Sequence, residues 1–128
     1  MIRVLLSRIR DPQLGEAFGY TLLRGLALVN ERLVREGAVP RLYESGVRYK
    51  LDPPGQDTFA DALHVWRAKQ ADCSSLVAWR VGELWASGER GADFRLRHYQ
   101  LGPGEWLYHI YLVRENGTIE DPSRALGM

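Results

Sequence analysis

One cysteine and two lysines are all that 128 residues hold of those two types. A single cysteine cannot close an internal disulfide, so nothing in the chain demands an oxidising compartment. The cations are arginine instead, fifteen against two lysines, a bias that GC-rich coding yields as readily as a need for forked donors. Net charge is also missing. At +1 the chain has no bulk attraction to nucleic acid or to an anionic membrane. No apolar run is long enough to span a bilayer: Phe18 to Val29 is interrupted by Arg24 and falls short. The first residues, Met1 to Arg8, are too short and too charged for the apolar core of a signal peptide. These absences predict a soluble, cytoplasmic protein that uses no metal and no cofactor.

What is present is ordinary for a globular chain, 45% apolar and 26% charged residues, and the length fits one domain over residues 1–128. Residues 2–9 alternate loosely, as a short strand or an arm. Asp11-Pro12 places a cap and a first-turn proline ahead of a helix to about Glu36. Its apolar face would carry Phe18, Leu22, Val29 and Leu33, widened by Leu23, Leu26 and Leu28. Residues 38–57, with Pro53-Pro54-Gly55, read as a long connection of a kind that is often functional. Asp57-Thr58 then predicts a capped helix to about Lys69. Asp72 caps a helix over 73–87 that buries Cys73, Leu76, Val77, Val81, Leu84 and Trp85. Two alternating runs, 93–101 and 106–114, flank Gly102-Pro103-Gly104, and Asn116-Gly117 signals a further hairpin into Thr118–Asp121. Helices first and an antiparallel meander after them predict an α+β fold, with N-terminal helices packed on a small antiparallel sheet.

Three residues carry chemistry. Cys73 stands in the first turn of a helix, where free N–H groups and the macrodipole favour a thiolate. His109 falls in a run that is apolar on both faces, as in a central strand. Its burial there calls for a partner, which Asp121 on the next strand can supply. If the Asn116-Gly117 turn pairs residues 115 and 118, His109 faces 124 and Asp121 faces 112, a few residues from ideal. A thiol followed by an imidazole and a carboxylate suits nucleophilic catalysis. The plainer alternative is a small buried hydrophobe and a core histidine. His64 and His98 are weaker partners, and one cysteine with three scattered histidines lacks metal-ligand spacing.

Ala71-Asp72-Cys73-Ser74-Ser75-Leu76-Val77-Ala78-Trp79-Arg80, then Tyr108-His109-Ile110, then Glu120-Asp121-Pro122-Ser123, resemble the core of the transglutaminase-like, papain-related superfamily. The likeness extends to small transglutaminase-like proteins of bacteriophages and prophages, through Tyr43 to Tyr49 and Asp121-Pro122-Ser123-Arg124. It covers residues 66–123. The resemblance implies a papain-like fold with Cys73 as nucleophile, His109 as general base and acid, and Asp121 orienting the imidazole. Two positions depart from the family's habit. Ala71 stands where glycine is common, and Ser74-Ser75 where acidic residues are common, which bears on access to the thiol.

Two functions follow. One is thiol-dependent acyl transfer on a peptide or carboxamide bond, of protease, amidase, deamidase or transglutaminase type. The backbone N–H of Cys73 would be an oxyanion donor, and Gln70, Tyr49 or Trp66 a side-chain donor. The other is a non-catalytic phage structural or assembly protein that retains the fold. Expected partners are a protein or peptide substrate and other virion or assembly proteins, with no nucleic acid and no membrane, in bacterial or host cytoplasm or in the virion.

Overall fold

The computed structural model describes residues 1–4, 6, 9–53 and 56–128. Leu5, Ser7 and Arg8 of the N-terminal arm, and the Pro54-Gly55 turn signal, lie outside the described residues. The fold is mixed α+β. Along the chain run β1 (Ile2–Val4), α1 (Pro12–Arg35), a 3-10 turn (Leu42–Glu44), β2 (Arg48–Tyr49), β3 (Asp57–Phe59), α2 (Ala62–Ala68) and β4 (Gln70–Ala71). Then follow α3 (Cys73–Ala86), β5 (Asp93–Gly102), β6 (Glu105–Val113), β7 (Ile119–Glu120) and α4 (Pro122–Ala125).

Both long helices start at the expected caps. The Asp11 side chain accepts the Gln13 N–H ahead of Pro12, and Asp72 caps α3. The third expected cap is displaced. Residues 57–59 form an antiparallel strand against Ile2–Val4, and Asp61 makes the capping bond instead, accepting the His64 N–H. Asp57-Thr58 has the chemistry of a cap, but pairing with a strand some 55 residues earlier in sequence takes these residues first.

The face of α1 also differs from the expected one. Gly15, Gly19, Leu23, Ala27 and Asn30 are buried, while Phe18, Leu28 and Val29 are about half exposed. Small residues decide this. A β-carbon on Gly15 would lie 2.1 Å from the Tyr108 hydroxyl of β6, and one on Gly82 of α3 would lie 2.7 Å from the Asn30 Cβ. The α1 and α3 backbones approach closely at Gly82, and the Tyr108 ring fills the space beside Gly15, so only the small-residue stripe of α1 fits inward.

α3 is buried nearly all round, Ser74 and Ser75 included, and separates two apolar clusters. Val77, Val81 and Trp85 face the first, with Leu23 and Ala27 of α1 and Phe94, Tyr108, Ile110 and Leu112 of the sheet. Leu76 and Trp79 face the second, with Leu42, Val47, Val65 and Leu126. The sheet orders β5-β6-β7, antiparallel throughout. The last hairpin closes through Arg114 N–H to the Thr118 carbonyl at 2.7 Å, a three-residue loop with Gly117 at φ +90°, which a side chain would resist. Leu112 therefore faces Glu120 and Val113 faces Ile119, one residue off the register expected from a 115–118 pair.

Candidate functional site

That single residue matters, because a one-residue shift moves a strand's side chains to the opposite face. In the observed register Asp121 falls opposite Tyr111, on the same face as His109. The expected register would have put it opposite Leu112, on the core face. The result is a hydrogen bond between His109 Nε2 and Asp121 Oδ2 at 2.8 Å. The other Asp121 oxygen accepts the Ser123 N–H at 3.2 Å and caps α4, while Arg124 approaches at 3.6 Å. The carboxylate is thus fixed from three sides. Nε2 is occupied, so Nδ1 is the nitrogen left to act on a neighbour.

His109 is not a core residue. Tyr108, Ile110 and Leu112 point to the helices and are buried, so alternation sends His109 to the other face. There it stacks on Tyr111 at 6.2 Å between centroids and keeps 22% of its side chain exposed. The expectation of a buried imidazole fails because only one face of β6 is covered by helices.

Cys73 comes to this strand at its edge. The Leu112–Glu120 pairing and the Arg114–Thr118 bond set the even-numbered backbone groups of β6 toward β7. β7 ends at Glu120, and Pro122 turns into α4. The Ile110 N–H, one step further along β6, therefore has no strand opposite it, and it lies near enough to the Cys73 thiol to favour the thiolate. That N–H belongs to the peptide unit that begins at His109. The structure thus joins His109 to Asp121 and sets Cys73 beside the next residue of β6, Ile110, and among the described residues no hydrogen bond links Cys73 to His109.

The thiol is not preactivated. Cys73 is 8% exposed, and its pKa is pushed well above the ordinary thiol value. Burial is the main cause, followed by the charge of Asp72 and its hydrogen bond to the thiol, with Asp57 adding to it. The Ile110 N–H opposes the rise. The lowered pKa that the helix start suggests does not arise, because burial outweighs the dipole and the capping carboxylate sits where the dipole would act. Asp72 also occupies the expected oxyanion donor. Its Oδ1 accepts the Cys73 N–H at 2.6 Å while its Oδ2 accepts the Asp52 N–H at 2.7 Å.

Of the three side chains considered as donors, Tyr49 alone is brought to the thiol. Burial first, then the charges of Asp72 and Cys73 and a hydrogen bond to Asp72, push its phenol up to about 12. β2 carries it there by pairing in parallel with β4, the strand that leads directly into Asp72. Gln70 is exposed on β4, and Trp66 lies under the Lys69 ammonium at 5.1 Å. Tyr49 is one of the three candidate donors the sequence suggests, whereas Asp72 reads there only as a helix cap, so the effect of Asp72 on the thiol is what sequence reasoning missed. The adjacency of Asp72 to Cys73 was the available signal for it, whereas the placing of Tyr49 depends on strand pairing.

A cleft of about 530 Å³ opens behind Asp72, bounded by Arg3, Lys50, Asp52, His64 and Ser75 among others. Near it, burial first, then Asp52 and Asp72, push the Asp57 carboxyl up to about 6, against the opposing Leu6 N–H. A carboxyl that holds its proton more tightly when folded contributes stability at low pH, which is lost as pH rises from about 4 to about 6. Asp57→Asn keeps an oxygen for the Leu6 N–H and removes the titration. Its urea midpoint should change less between about pH 4.5 and about pH 7 than that of the unaltered chain. An equal change in both would exclude Asp57 as the titrating group.

Among the described residues no group of three or more His, Cys, Asp or Glu side chains could hold a metal ion, and no helix is long and apolar enough to cross a membrane. Neither the protein-family models, nor the curated proteins, nor the solved structures contain a match to this chain.

Proposed function

We propose that this chain is a thiol-dependent acyl-transfer enzyme on a transglutaminase-like, papain-related core, acting on a peptide or carboxamide bond. The observation that carries the reading is the His109 Nε2–Asp121 pair at 2.8 Å, with Cys73 packed in the same cluster as Ile110, the residue that follows His109. Asp121 fixes the imidazole so that Nδ1 serves as the base. The thiol proton passes to Nδ1 as sulfur attacks the carbonyl, and the imidazolium then returns it to the departing amine. A thioester remains, and water or an amine resolves it. Because the resting thiol is neutral, proton transfer accompanies attack instead of preceding it. Tyr49 is the donor placed to meet the developing oxyanion.

Incubation with casein and a fluorescent primary amine tests this, with peptide release, ammonia release and amine incorporation all read. Cys73→Ala should abolish whichever product forms. Tyr49→Phe should lower kcat by about a hundredfold to a thousandfold with KM little changed, as for loss of one oxyanion donor. A second reading, a non-catalytic phage structural or assembly protein that keeps the fold, is favoured by the low exposure of the thiol. It prevails if no product forms and Cys73 takes up no acyl group from substrate.

A further inference from the structure

The face of β5 and β6 that carries His109 has charge and apolar surface beyond what the proposed reaction uses. Three cross-strand pairs lie on it: Arg95 opposite Tyr111, Arg97 opposite His109, and Tyr99 opposite Leu107. Tyr99 and Leu107 are nearly half exposed, at 49% and 44%. The Arg97 guanidinium sits 5.5 Å from the Tyr111 ring centroid, with Tyr99 two residues further along β5 on the same face. The helices pack on the opposite face, through Phe94, Tyr108, Ile110 and Leu112.

Among the described side chains, charge on this face is unbalanced. Arg95 reaches Asp93 only at 4.0 Å, and Asp93 is held more closely by the Tyr20 hydroxyl at 2.9 Å. Asp121 is committed to His109, Ser123 and Arg124. Among the described residues Arg97 has no carboxylate within ion-pair distance. An exposed arginine lying over the Tyr111 ring, with no carboxylate of its own, can take one in a two-pronged bond.

We propose that this face docks an extended acidic segment of the protein substrate, with a carboxylate on Arg97 and an apolar side chain two residues away on Tyr99 and Leu107. Arg97 faces His109 directly across the ladder, a strand spacing of about 4.8 Å. The carboxylate therefore falls within a residue or two of the amide that reacts. The choice of substrate at this site rests on the thiol reading, whereas docking itself does not.

The test separates the two. The full chain carrying Cys73→Ala is titrated against a fluorescein-labelled decapeptide that alternates glutamate with leucine and tyrosine, and against the same peptide with glutamine or lysine replacing glutamate. Anisotropy should show the glutamate peptide bound about tenfold or more tighter than the glutamine one, the scale of a charge-assisted hydrogen bond. The lysine peptide should bind weakest, and the preference should shrink with salt. Arg97→Ala should erase most of the preference and Arg97→Glu should invert it. Arg32→Glu, on exposed α1, should leave it intact. Equal binding of the three peptides, or a preference that survives Arg97→Glu, overturns the proposal. So does an oligouridylate bound as tightly as the glutamate peptide, or a wild-type dimer in sedimentation that Arg97→Glu dissolves, since the occupant would then be nucleic acid or a second copy. Selective docking with no turnover by the unaltered chain upholds the docking face and removes the thiol reading instead.

Discussion

His109→Ala should lower kcat/KM by about 10²–10⁴-fold, the usual contribution of a positioned acid–base group, or roughly 3–5 kcal/mol of transition-state stabilisation. The pH dependence should change as well. On the proposed mechanism the imidazole takes the thiol proton during attack, so the rate needs no preformed thiolate. Without the imidazole, solvent must remove the proton from a thiol that burial and Asp72 push well up. The residual rate of His109→Ala should therefore climb about tenfold per pH unit from pH 6 to pH 9, while the parent changes far less over that interval. Asp121→Ala should be milder, about tenfold to a hundredfold, because the ring remains but loses the bond that orients it. It also uncaps α4, so its urea midpoint must be measured beside its rate. A His109→Ala rate within threefold of the parent, with the same pH profile, would leave His109 no part in the chemistry.

The elements that position this site were unevenly legible. The caps of α1 and α3 were plain, because Asp11 and Asp72 act on N–H groups next to them in sequence. The strands β5 and β6 were plain too, since alternation and a Gly-Pro-Gly turn are local signals. What escaped depended on distant partners. Asp57-Thr58 looked like a cap until β1 paired with it. The apolar residues of α1 pointed both ways, and the closeness of α3 and β6 selected the side with glycine and alanine. The last hairpin was legible as a turn but not as a register, because Asn116-Gly117 suits both a two-residue loop and a longer one. The three-residue loop set Asp121 on the face of His109. The edge at which Cys73 meets the Ile110 N–H exists only because β7 stops after two residues, which no pattern within β6 announces.

Trp79→Ala should cost about 3–5 kcal/mol, a large share of the roughly 5–15 kcal/mol that holds a domain folded. Trp79 is fully buried and fills the cluster between α3, α2 and the segment that precedes β2. The same cluster takes in Val47 and packs Tyr49 against it, so the cavity would open behind a residue of the proposed site. Conservative variants give a sharper test than the truncation. The Trp79 indole N–H is buried and finds no partner among the described residues, whereas Trp85 donates its own to the Ala92 carbonyl at 2.9 Å. Trp79→Phe removes volume and an unsatisfied donor together, and these two changes act in opposite directions on stability. Trp85→Phe removes volume and leaves the Ala92 carbonyl without that bond. Trp85→Phe should therefore be the more destabilising of the two by about 1 kcal/mol, read as a lower urea midpoint at an unchanged slope. The reverse order would mean that the Trp79 N–H makes a bond of comparable worth, to water or to a group outside the described residues, and that its cluster is wetter than its apolar lining suggests.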